Sequence, residues 1–192
     1  MAPPGNPTRP LAALIVHDSL SENGGVRLTL DLAERFVAAG ASAEVFALQP
    51  VREGREAVLP EDVRLTRGVP EGGRLRSSGP AALARLVGAC RRADVVVSGS
   101  EVGLGLLAAR TASRISGRPF VVLVHAPLGR AIELWVPAAM QGPTRRAHRT
   151  ADAAICVATP LVDEVVRNGL DPRRVHVVPN AVDAQLIQRL AG

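Results

Sequence analysis

No lysine and no tyrosine occur among the 192 residues, and aromatic side chains make up only 2% of them. All 23 basic residues are therefore arginine, and the formal net charge is +5. A positive balance can suit a nucleic-acid partner, but the aromatic platforms that stack bases are missing, which argues against one. An absence of lysine in a chain rich in alanine, glycine and proline also reflects codon bias as much as charge design, so the arginines carry little weight. Cysteine is scarce too: Cys90 and Cys156 lie far apart in apolar settings. That excludes a disulfide scaffold and predicts two buried free thiols in a reducing compartment. The apolar run at residues 11–16 is only six residues long, against the roughly 20 that a membrane-spanning helix needs. The lead MAPPGNPTRP is polar and proline-rich rather than the start of a signal peptide. The expected location is cytoplasmic.

What is present is aliphatic. Hydrophobic residues make up 47% of the chain, enough for one α/β domain with a sizeable core. Short apolar runs at 11–16, 43–48, 63–66, 94–98, 120–124, 153–157 and 175–178 read as strands. They are continuous rather than alternating, as in a parallel sheet covered on both faces. Helical patterns lie between them. In the first, Asn23 can cap the start, Val26, Leu30, Ala33 and Val37 form an apolar stripe, and Gly40 ends it. Leu28, Leu32 and Phe36 widen that face. A later helix has Thr159 as cap, Pro160 in first position, Asp163 and Glu164 early, and a stop near Gly169. Alternating strands and helices with short connections predict a doubly wound, Rossmann-like parallel sheet with helices on both faces. Residues 67–80 read as a long exposed loop, and residues 128–150 as a helix broken at Pro137 and Pro143.

Ligands of open α/β sheets bind beyond the carboxyl ends of the strands. The residues delivered there are His17 and Asp18, the Gly24-Gly25 pair, Ser98 to Glu101, His125, Thr159 and Asn180. Gly24 and Gly25 open a helix whose free N–H groups could receive a phosphate or a sugar hydroxyl; a tight turn is the competing reading. NGGVRLTL lacks G-x-G-x-x-G spacing, and Gln49 stands where a ribose-binding carboxylate would be wanted, so a nicotinamide enzyme is disfavoured. His125 is either functional or a strand-end surface residue. Glu101 is either a base or hydroxyl ligand, or a carboxylate at the start of the next helix. His17, His125, His148 and His176 show no metal-ligand spacing, and no metal or cofactor is expected. Arg145, Arg146, His148 and Arg149, with Trp135 and Met140 upstream, read as a solvated helix face, with contact to an anionic inner membrane surface as the alternative.

Three segments and the opening strand together resemble the N-terminal domain of retaining glycosyltransferases of family 4, one half of the GT-B fold. They are NGGVRLTLDLAERFVAAGASAEVFAL, ADVVVSGSEVGLGLLAARTASRISGRPFVVLVHAP and ADAAICVATPLVDEVVRNGLDPRRVHVVPNAVD, with the first strand ending in His17-Asp18. The resemblance implies that Gly24 and Gly25 approach a nucleotide-sugar donor and that His125 contacts the transferred sugar. It also implies an acceptor-side rim of His17, Asp18, Ser100 and Glu101, and a hinge at Asn180, Val182 and Asp183. Ala181 replaces the family's hinge glycine, and Thr159 stands where the family commonly has serine.

The domain is expected at residues 11–183, after a lead at 1–10 and before the start of a linker at 184–192. The family's second domain, with the basic residues for the diphosphate and an E-x7-E pair, has no counterpart here. The implied activity is sugar transfer from a nucleotide sugar to a small-molecule, glycan or lipid acceptor. It would be absent without a C-terminal donor-binding domain, which could act in trans. A carbohydrate- or lipid-binding or assembly module without catalysis is the alternative.

Overall fold

The structure is a computed structural model and describes residues 11–179. Strands and helices follow one another along the chain, with β3 directly after β2: β1 (Ala12–His17), α1 (Gly24–Ala38), β2 (Ser42–Ala47), β3 (Arg64–Arg67), α2 (Leu75–Arg92), β4 (Val95–Ser98) and α3 (Leu104–Ser116). Then follow β5 (Phe120–Val124), α4 (Leu128–Trp135), α5 (Ala138–Arg149), β6 (Ala153–Cys156), α6 (Pro160–Arg167), a short 3-10 turn (Pro172–Arg174) and β7 (Val175–Val177). The strands form one sheet in the order β3-β2-β1-β4-β5-β6-β7, and every pairing is parallel. The order reverses between β1 and β4, which opens the crevice where such sheets bind ligands.

Successive strand residues point to opposite faces, so each strand feeds two cores. Leu14, Phe46, Val96, Val122 and Ala154 point toward α2 to α6, in a core that includes Leu86, Leu106 and Leu128. Ile15, Val45, Val97 and Leu123 point the other way, where α1 covers them with Val26, Leu30 and Ala33. Helices thus lie on both faces but unevenly, and Val121 and Ile155 are only partly covered on the α1 side. Both cysteines are free and buried, Cys90 on α2 and Cys156 on β6.

Several expectations are corrected. Residues 67–80 are not one loop: Arg67 ends β3, and α2 begins at Leu75 with Pro80 inside it. Thr159 precedes α6 in a helical conformation and makes no side-chain capping bond. Glu164 does not act only on its own helix: its carboxylate accepts from Gly129 N at 3.1 Å, tying α6 to α4. The break expected in 128–150 falls at Val136-Pro137, while Pro143 lies within α5. No helix among the described residues is long and apolar enough to cross a membrane.

Candidate functional site

The rim forms where β1, β4 and β5 end side by side. His17, the last residue of β1, is only 2% exposed, and its Nδ1 lies 3.3 Å from Ser100 Oγ. Its Nε2 has no partner among the described residues. Burial, with His125 nearby as the smaller influence, pushes its pKa down to about 4, so the ring is neutral at pH 7. Glycine is required beside it, because a Cβ on Gly99 would collide with the imidazole. Asp18 is engaged within the fold: its carboxylate accepts from Gly105 N at 2.7 Å and sits at the start of α3. Added Cβ atoms at Gly103, where φ is +101°, or at Gly105 would strike Asp18 or its backbone. Burial raises the Asp18 carboxyl pKa, opposed by the Leu104 and Gly105 N–H groups.

The turn after β4 is closed by Ser98 Oγ donating to Ser100 O at 2.8 Å. Glu101 follows and is 8% exposed. Burial raises its pKa; its own N–H, the His125 ring and the His125 N–H oppose the rise. The carboxylate at the start of the helix is therefore Asp18, from a different strand, while Glu101 faces His125. His148 holds this turn from behind, with its ring 2.7 Å from Glu101 O. It is 1% exposed, which corrects its placement on a solvated helix face. The rest of the basic cluster divides: Arg145 donates to Asn168 Oδ1 at 2.7 Å, while Arg146 and Arg149 are exposed. Thr144, Ala147 and His148 share a buried face of α5. That i, i+3, i+4 spacing was the available signal for His148.

His125 follows β5 directly. Both of its ring nitrogens are shielded from solvent and have no hydrogen-bond partner among the described residues. It borders a cavity of about 100 Å³, whose opposite wall is Leu28, Asp31, Leu32 and Arg35 of α1. Gly24 and Gly25 begin that helix, so Leu28 lies one turn beyond Gly24 on the element facing His125. Asn23 Oδ1 accepts from Val26 N at 3.0 Å, leaving the Gly24 and Gly25 N–H groups without an acceptor among the described residues. Neither glycine has a positive φ. A Cβ on Gly24 would meet nothing within 4 Å, and one on Gly25 only Asn23 Oδ1 at 3.4 Å. Tight-turn geometry therefore does not demand this pair, and the space in front of it is open.

The structure thus brings His17, Ser100, Glu101 and His125 together and sets Gly24-Gly25 at the mouth of the neighbouring helix. Asn180 and Asp183 lie outside the described residues. Asp31, Arg35 and the glycine cradle around His17 and Asp18 were not singled out in the sequence. Asp31 and Arg35 are four apart on one helix face, whereas the cradle depends on contacts between distant strands and leaves no local pattern. Chemically, the rim offers a neutral imidazole, a hydroxyl and a carboxyl group with a raised pKa, suited to hydrogen bonding a polyhydroxylated ligand. The free N–H groups at α1 suit a phosphate. Among the described residues, no group of three His, Cys, Asp or Glu side chains could hold a metal ion.

Comparison with known proteins bears on the fold. HepE of Anabaena, solved with UDP and glucose, superposes with a TM-score of 0.66 at 17% identity, covering 94% of this chain and 50% of HepE. The lipopolysaccharide outer core galactosyltransferase WaaB superposes at 0.58 with 13% identity, covering 89% of this chain and 46% of WaaB. A sucrose-phosphate synthase structure from Thermosynechococcus elongatus superposes at 0.56 with 13% identity, covering 96% and 100%. The chain thus spans about half the length of HepE and WaaB. No curated protein matches it by sequence. The Glycosyltransferase Family 4 model matches residues 22–186. This chain belongs to glycosyltransferase family 4, and its fold is one half of the GT-B architecture.

Proposed function

We propose that the chain forms the acceptor-side wall of a retaining glycosyltransferase that takes its sugar from a nucleotide donor. The observation that carries this reading is His125: an imidazole at a strand end, with both nitrogens shielded and unpartnered among the described residues, facing the helix that Gly24 and Gly25 open. A buried polar group without a partner is costly unless a ligand completes it. A sugar hydroxyl supplies that partner, and the N–H groups of Gly24 and Gly25 receive the donor phosphate. His17, Ser100 and Glu101 line the acceptor side. HepE, which shares the fold, was solved with UDP and glucose, and this supports a nucleotide-sugar ligand.

Breaking the sugar–phosphate bond leaves charge on the diphosphate, and catalysis requires cations or N–H donors where that charge develops. Of the described side chains lining the cavity beside His125, Arg35 alone is cationic, and Asp31 lines the same wall. Turnover therefore needs a second α/β unit that closes over the donor, within a longer chain or in trans. Purified residues 1–192 incubated with UDP-sugars are expected to release no UDP above background. Robust turnover would show that the described rim is sufficient. Acceptor binding with no transfer under any supplied second unit would instead favour a binding or assembly module.

A further inference from the structure

At the far side of the same rim, the segments after β2 and β3 line an open cleft of about 500 Å³. Three arginines line it, Arg52, Arg67 and Arg74, together with Glu56 and Glu71. Arg67 is already matched: its guanidinium forms a two-pronged pair with Glu56 at 2.5 and 3.0 Å. Among the described residues the guanidinium groups of Arg52 and Arg74 have no hydrogen-bond or ion-pair partner, which leaves two free cations against one carboxylate, Glu71.

The charge arrangement is locally unfavourable as it stands. Arg74 flanks the start of an 18-residue helix, Arg76 lies in its first turn, and that turn contains no acidic residue and no capping side chain. Cations at a helix N-terminus oppose its dipole. Arg52, Arg74 and the uncapped helix start meet at one cavity on the ligand-binding rim. An anion in the cavity resolves the conflict, since a guanidinium pairs well with an oxyanion.

We propose that this cavity is a subsite for an anionic group on the acceptor, a phosphate monoester or a carboxylate on a polyhydroxylated body, held by Arg52 and Arg74. The assignment rests on the acceptor-side reading of the rim. β2 and β5 are three strand spacings apart in the sheet, or about 14 Å at the usual spacing. The acceptor must therefore be extended enough to place its anion here and its reacting hydroxyl beside His125.

The test is a titration of the isotope-labelled chain with glucose 6-phosphate, glucuronate and glucose, followed through its backbone amide resonances. Either anion should shift the amides of residues 72–76 while glucose leaves them in place, and the tighter anion identifies the acceptor group. The double substitution Arg52→Ala, Arg74→Gln should weaken that anion at least tenfold, whereas Arg114→Ala on α3 should not. Both replaced side chains are exposed, so unchanged amides elsewhere will report an intact fold. The proposal is overturned if neither anion shifts residues 72–76, if glucose shifts them equally, or if the double variant binds as tightly as the parent. UDP titrated into the same samples reads Gly24, Gly25 and His125 separately, so failure of the donor reading is distinguishable from failure of this subsite.

Discussion

Burial holds the His148 ring neutral, with its pKa pushed down to about 4, while Nε2–H donates to the Glu101 carbonyl. The folded value lies below the usual 6.5, so the unfolded chain binds more protons between about pH 4 and 6.5. This contribution is intact above pH 6.5 and is lost as pH falls toward 4. Burial of His17 works in the same direction, and the raised carboxyl groups of Asp18 and Glu101 oppose it. His148→Gln removes one titration and leaves the others, so its melting temperature should gain on the parent's as pH drops from 7 to 4.5. An unchanged gap would mean that the ring is not held neutral by burial. Gly99→Ala tests the neighbouring contact. A methyl group there meets the His17 ring, and overpacking of this kind costs about 1–3 kcal/mol, readable by urea unfolding. A stability loss below that range would mean that the ring moves aside without strain.

The elements were more legible in the sequence than the contacts between them. Each of the seven strands lies within one residue of its expected position at either end, because an unbroken aliphatic run leaves no other register that buries both faces. Asn23 as a cap and Gly40 as a stop are both confirmed: Asn23 bonds Val26 N, and Gly40 has φ +82°. The start of α2 was hidden because Gly72, Gly73, Gly79 and Pro80 resemble loop punctuation, yet a proline this near a helix start forfeits only one backbone bond. Asp18 was legible as a rim residue but not as the group at the start of α3, since that bond joins residues 87 apart in sequence. Asp18→Ala should cost about 1–2 kcal/mol, in the upper range for a lost helix cap, and should speed amide exchange in the first turn of α3. Exchange unchanged from the parent would show that Asp18 does not secure that turn. Asn23→Ala should cost about 1 kcal/mol by the same reasoning, measured by chemical denaturation.

At the scale of the whole molecule, one half of a GT-B fold presents a polar rim whose charge and hydrogen-bonding groups are only partly matched within it. The ring nitrogens of His125 are unpartnered among the described residues, as are the N–H groups of Gly24 and Gly25, and all belong to one stretch of rim. On the function proposed above, a nucleotide sugar fills this rim and a second unit closes over it. The most direct measurement is a titration of the purified chain with UDP-glucose, parent against His125→Ala, read by amide shifts and paired with the melting temperature of each. The account predicts shifts at Gly24, Gly25 and His125 in the parent, at least tenfold weaker binding in the variant, and a melting temperature within about 2 °C of the parent's, since a substitution that removes no internal bond changes stability little. No shift at those three residues, or a variant that melts well below the parent yet binds UDP-glucose as tightly, would contradict it.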